Sequence, residues 1–149
     1  MKQKLNRITR WLDAYLPFGV ADAHCDIPCG IYDPRDALQA ADTVIKMTSL
    51  ILELEQKGGM DLQARTSLIR YVMIKEEYVS KAKHDLLVIW TDYFKPEHLQ
   101  KYPELHDLVW QACKLGSAVK QTVDLEKAKE LKATIERVAR IFQETKKAA

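Results

Sequence analysis

Only three cysteines occur in 149 residues, an odd number for a disulfide framework, and a chain of this length that is 47% hydrophobic buries a core without covalent staples. Cys113 stands alone on a helical pattern, so Cys25 and Cys29 form the one close pair. That usage favours a reducing compartment or a bound metal. No apolar run approaches the roughly 18 residues a membrane span needs, which predicts a soluble protein with no membrane partner. No sustained basic block lies beyond the first ten positions, and a net charge of +2 with 30% charged residues leaves no footprint for nucleic acid. Internal repeats, low-complexity tracts and interdomain linkers are also lacking, as is sustained β-branched alternation.

What remains is helical periodicity. Asp33 suits an N-cap with Pro34 at the first helical position, and Leu38, Ala41, Ile45, Leu52 and Leu54 then mark a helix that Gly58 and Gly59 end. A longer helix is expected from Asp61 through Leu68, Val72, Tyr78, Val79, Leu86 and Trp90 to about Phe94, where Pro96 forbids continuation. A third starts near Pro103 and takes Leu105, Leu108, Val109, Ala112 and Leu115 to Gly116 or a little beyond. The fourth follows Thr122 or Asp124 as cap and presents Leu131, Ile135, Val138 and Phe142, with Lys146 and Lys147 at its negative end. Four such helices with short connections predict an all-α fold, an antiparallel up-down four-helix bundle.

Residues 1–23 read as a separate piece. They carry Lys2, Lys4, Arg7 and Arg10 against Asp13 and Asp22, and Leu5, Ile8, Leu12, Tyr15 and Leu16 repeat at helical spacing until Pro17 and Gly19. Ala21 and Ala23 imitate a secretory cleavage site, but Arg10 and Asp13 interrupt any continuous apolar segment. Two readings stand: a first helix docked on the bundle, or a leader removed before His24.

The stretch HCDIPCGIYDP, residues 24–34, is the unusual feature. Pro28, Gly30 and Pro34 prevent a helix there, so residues 24–33 form a hook on which Cys25 and Cys29 can turn toward one point. Two thiolates so placed chelate a transition metal or close a small disulfide, and their spacing does not choose. Were the leader cut away, the His24 amine and imidazole and the Cys25 amide nitrogen would join the two sulfurs. Nitrogen and thiolate donors in a plane suit Cu(II) or Ni(II), whereas structural zinc asks for a closed tetrahedral set. Cleavage would then switch metal binding on.

This hook, the later WTDYFKPEHLQKYPELHDLV and the terminal IFQETKKAA together resemble the nickel superoxide dismutase family, in an order and spacing that run through residues 24–149. The resemblance implies a precursor whose leader, residues 1–23, is removed by a maturation peptidase. It implies a cytoplasmic homohexamer in which each hook is held partly by a neighbouring subunit. One nickel ion per subunit would be ligated by the sulfurs of Cys25 and Cys29, the main-chain nitrogen of Cys25 and the His24 amine. The His24 imidazole would be an axial ligand of Ni(III) that leaves Ni(II).

By the same resemblance Tyr32 and Tyr93 position water or superoxide, Lys95 adds positive charge, and Asp26 and Pro28 hold the hook, with the Ile27–Pro28 peptide cis. The family's glutamate and arginine partners of the axial imidazole fall on Ala40 and Tyr78 here, which leaves Tyr78, Glu77 or Arg70 as stand-ins. The activity implied is dismutation of superoxide to oxygen and hydrogen peroxide. The competing reading is a non-catalytic bundle that binds or delivers nickel or copper.

Other chemistry-bearing residues have plainer readings. Cys113 reads as a buried small hydrophobe. Trp11, Trp90 and Trp110 read as packing. A second metal cluster of His84, His98 and His106 with Glu104 and Asp107 is conceivable, although helix-end and surface histidines are common.

Overall fold

Asp33 sets the start of the first helix: its carboxylate accepts from the Arg35 backbone N–H at 2.8 Å and from the Arg35 guanidinium at 2.7 Å. The structure is a computed structural model, and it describes residues 31–58 and 61–147. Helix α1 (Arg35–Lys57) buries Ala37, Ala40, Ala41, Val44, Thr48 and Ile51, a stripe of mostly small side chains that lets its neighbours come close. It ends where Gly58 turns to φ 61°, in the left-handed region that glycine enters without steric cost.

Asp61 caps α2 (Leu62–Val88), its side chain accepting from the Ala64 N–H at 2.7 Å. The sequence predicts one helix to about Phe94, but the last turn widens into a π turn at Ile89–Tyr93, closed by the Phe94 N–H on the Ile89 carbonyl at 3.3 Å. Pro96 explains the exit: the residue before a proline is driven to extended backbone, and Lys95 sits at φ −124°, ψ 165°. A short helix α3 (Pro96–Lys101) follows, unforeseen because none of its six residues is fully buried and Leu99 is the only apolar side chain after Pro96, too little to make an apolar stripe. Helix α4 (Leu105–Gln121) and helix α5 (Leu125–Lys147) complete the chain, α5 capped by Asp124, which accepts from Glu126 N at 3.0 Å and Lys127 N at 3.1 Å.

Helix α1 packs on α2, α2 on α4, α4 on α5, and α5 back on α1. Sequence neighbours joined by short connections and closed into a ring make the expected antiparallel up-down four-helix bundle, with α3 as an addition on one connection. The core is built from Leu86, Leu105, Leu131, Ile135 and Phe142, all at most 2% exposed. Each such side chain contributes about 1.5–3 kcal/mol by burial. A Cβ at Gly116 would lie 2.9 Å from Lys83 Cδ, so this glycine lets α2 and α4 approach. Among the described residues no helix is long and apolar enough to cross a membrane.

Where α4 ends, Lys75 of α2 is buried against it, with its ammonium donating to the carbonyls of Val119 at 2.8 Å, Thr122 at 2.8 Å and Lys120 at 3.3 Å. Val119 and Lys120 carry last-turn carbonyls that a helix cannot satisfy internally, Thr122 is the extended residue that follows, and all three lie at the negative end of the helix dipole. Because α4 ends level with Lys75, the earlier turns of α2 lie mainly beside α1. Val72, expected in the core, is 38% exposed for that reason, and Leu62, Ile69 and Met73 are exposed as well. Trp110, expected as packing, is 58% exposed with the Lys114 ammonium over its ring. Trp90 does pack, against Phe94 and His106. Cys113 is half-buried rather than fully buried, and burial pushes its thiol pKa up against the opposing pull of Lys83. Trp11 lies outside the described residues.

Candidate active site

The chain enters the described structure at Ile31, and the first ring it presents, that of Tyr32, lies 5.7 Å from the ring of Tyr93 at a tilt of 58°. The two tyrosines expected at one pocket are therefore neighbours. Tyr32 is delivered by the segment that Asp33 ties to α1, and Tyr93 by the π turn closing α2. Widened turns of this kind recur at functional sites.

Tyr93 is fixed on several sides. Its ring stacks on His98 at 5.6 Å, meets Phe94 edge-on at 5.2 Å and Phe142 at 4.4 Å, and its hydroxyl is 3.0 Å from Thr145 Oγ1. His98 is itself oriented, its Nδ1 accepting from the Lys95 backbone N–H at 3.1 Å. Short helix α3 thus acts as a bracket for the Tyr93 ring. Lys95, the expected source of positive charge, stands exposed at the start of that helix.

A second cation stands beside Tyr32. Lys146 of α5 reaches the Tyr32 carbonyl at 3.5 Å and lies over the Phe142 ring at 5.3 Å. The sequence marks Lys146 as complementing the α5 dipole, and its place beside Tyr32 follows only from how α5 packs. Thr145 and His98 were likewise invisible as site residues, because the one reads as a helix polar position and the other as a surface histidine. Asp33 feels the charge of this cation too. Burial pushes its carboxyl pKa up, but the Arg35 backbone N–H and guanidinium, with Lys146 adding its charge, outweigh that and hold it below 3.8.

His24, Cys25, Asp26, Ile27, Pro28 and Cys29 lie outside the described residues. Among the described residues no three His, Cys, Asp or Glu side chains are grouped to hold a metal ion, so His84, His98 and His106 do not assemble with Glu104 and Asp107. The two candidate carriers of the imidazole's partners are placed: Ala40 is buried at 1% exposure and offers no polar atom, and Tyr78 is half-buried against the core. Arg70 and Glu77 line a groove on the first half of α2 with Ile69 and Met73.

The family model described as nickel-containing superoxide dismutase matches residues 19–146. The chain belongs to that family. It is 40% identical over 134 residues to the nickel superoxide dismutase of Streptomyces seoulensis, across 90% of this chain and 96% of that protein. The same identity and coverage hold for the enzyme of Streptomyces coelicolor. The native crystal structure of nickel superoxide dismutase matches at a TM-score of 0.71 and 40% identity, over 83% of this chain and 99% of that one. The structure with nickel ligation of the oxidised state matches at 0.71 and 41% identity, with the same coverage. The competing reading of a mere carrier bundle gives way to an oxidoreductase that uses nickel and acts on superoxide. The helical bundle, the paired tyrosines and the nearby lysine are the described parts of that enzyme.

Proposed function

We propose that the nickel centre of this superoxide dismutase is built by His24, Cys25 and Cys29 once residues 1–23 have been removed by a peptidase, leaving residues 24–149 as the mature bundle. The donor chemistry fits the metal: two soft thiolates with an amine, an amide nitrogen and an imidazole would suit a first-row ion such as nickel and would make its higher oxidation state accessible. Nickel held there would supply the one-electron chemistry that turns one superoxide into oxygen and the next into hydrogen peroxide. The observation that carries the placement is the Tyr32–Tyr93 pair at 5.7 Å, three residues beyond Cys29 in the chain.

The protein's own residues do the rest. Asp26 and Pro28 shape the hook, Tyr32 and Tyr93 position water or superoxide above it, and Lys95 and Lys146 raise the positive potential felt by a small anion. The mature enzyme is a cytoplasmic homohexamer with one nickel per subunit, in which a neighbour covers part of each hook. The uncovered apolar side chains of α2, Leu62 at 81%, Ile69 at 62% and Met73 at 66% exposure, support an assembly that buries them. The test is nickel stoichiometry with the thiolate-to-nickel absorption of protein starting at His24. Cys25→Ser and Cys29→Ser should each abolish both absorption and dismutation; retention of either in both variants would reject the ligand set.

A further inference from the structure

A tyrosine and a threonine hydroxyl share one contact at 3.0 Å, and the direction of that hydrogen bond can be worked out by counting protons. Thr145 has a single hydroxyl proton, and it is spent within its own helix, on the Phe142 carbonyl at 2.8 Å. With its proton committed there, Thr145 Oγ1 is left with acceptor capacity alone. Thr145 is 5% exposed, so no bulk water competes for the arrangement. The Tyr93 hydroxyl must then be the donor, and its only proton points at Thr145.

We infer that Thr145 commits the Tyr93 proton, so that Tyr93 meets the ligands of the active site as a hydrogen-bond acceptor for O–H donors, water or hydrogen peroxide, and not as a donor to superoxide. Superoxide is an anion with lone pairs and no proton, so an acceptor-only phenol gives it nothing; hydrogen peroxide and water carry the protons such a phenol takes. This rests on the reading that Tyr93 faces the superoxide pocket, and it divides the roles assigned to that pocket. Tyr93 orders the protonated partners of the reaction, and Thr145 is a positioning residue that acts through it. The ring packing on His98 and Phe142 keeps the phenol from swinging to another acceptor.

The intensity ratio of the tyrosine Raman doublet separates phenols that donate from phenols that accept, and Tyr93 is isolated by subtracting the spectrum of Tyr93→Phe. In metal-free protein the difference spectrum should show a phenol that donates its proton, alone or together with an accepted bond from water, and this donor character should persist in Thr145→Ser and vanish in Thr145→Val. An acceptor-type ratio in the unsubstituted protein would overturn the inference without any variant having to fold. In nickel-loaded enzyme, Thr145→Val should lower kcat/KM about five-fold, the worth of one neutral hydrogen bond, while Thr145→Ser stays near the parent. That loss should vanish in the Tyr93→Phe background. An equal loss in both backgrounds would make Thr145 merely structural and overturn its role. Full activity in Tyr93→Phe would instead remove Tyr93 from the pocket, which fails the underlying reading whatever the Raman ratio says.

Discussion

Replacing Lys75 by Met tests how the bundle is held together, because Met keeps the aliphatic stem and deletes the ammonium. That ammonium makes two short bonds, at 2.8 Å to Val119 O and Thr122 O, and a longer one at 3.3 Å to Lys120 O, with the side chain 3% exposed. Two charge-assisted bonds at about 1.5–3 kcal/mol each give about 3–6 kcal/mol. Keeping the ammonium out of water takes part of this back. The net loss expected is about 2–4 kcal/mol, which for a chain of this size lowers Tm by about 5–15 °C. Burial lowers the Lys75 pKa from 10.5, opposed by Glu76. Between the lowered folded value and 10.5 the unfolded chain holds more protons, so this group's contribution is greatest above 10.5 and is lost as pH falls through the folded value. Calorimetry across alkaline pH should therefore show a rising stability component in the parent that Lys75→Met lacks. A Tm within about 1 °C of the parent would refute the idea that Lys75 holds the end of α4.

Other consequences are as direct. Lys146→Gln should reduce kcat/KM and flatten its dependence on ionic strength, since the cation beside Tyr32 is removed; stopped-flow or pulse-radiolysis rates at several salt concentrations check this. Asp33→Asn should raise the pH of acid unfolding: the pKa of Asp33 is held below 3.8, so its contribution is present above that value and is lost as pH falls through the lowered folded value, and circular dichroism during acid titration reads the change. Asp61→Ala removes the acceptor for the Ala64 N–H and should cost about 1 kcal/mol in urea unfolding, with no change in turnover. His24→Ala should keep some nickel and lose most turnover, because both thiolates remain while the imidazole that would serve the oxidised metal is gone; metal analysis paired with a rate measurement distinguishes the two.

The helices of the bundle were legible because their starts are chemical. Asp33, Asp61 and Asp124 each precede a run of periodic apolar residues, and each is observed accepting backbone N–H groups. Leu131, Ile135, Val138 and Phe142 repeat at helical spacing and are all buried. The failures are of a different kind. Periodicity places Val72 on the apolar face of α2, but whether a face is covered depends on where the partner helix stops, and α4 stops at Lys75. Lys75 itself reads as an ordinary surface lysine until the carbonyls of another helix end are set against it.

The same division holds at the site. Tyr32 and Tyr93 could be paired through the family pattern, and their rings do meet. Thr145, Lys146 and His98 meet the two tyrosines through the packing of α5 and through the bracket of α3, which no local pattern encodes. Ala40 and Tyr78 mark a real difference from the glutamate and arginine that the resemblance implies, and Ala40, being buried and apolar, cannot orient an imidazole.

The decisive measurement is superoxide-dismutating activity with the nickel content of the same sample, on protein beginning at His24 refolded with Ni(II) and on the uncut chain. Activity confined to the trimmed protein, at one nickel per chain, is the predicted result. Equal activity in the uncut chain would contradict the need for a free His24 amine, and a trimmed protein that binds nickel without dismutating superoxide would contradict the account as a whole.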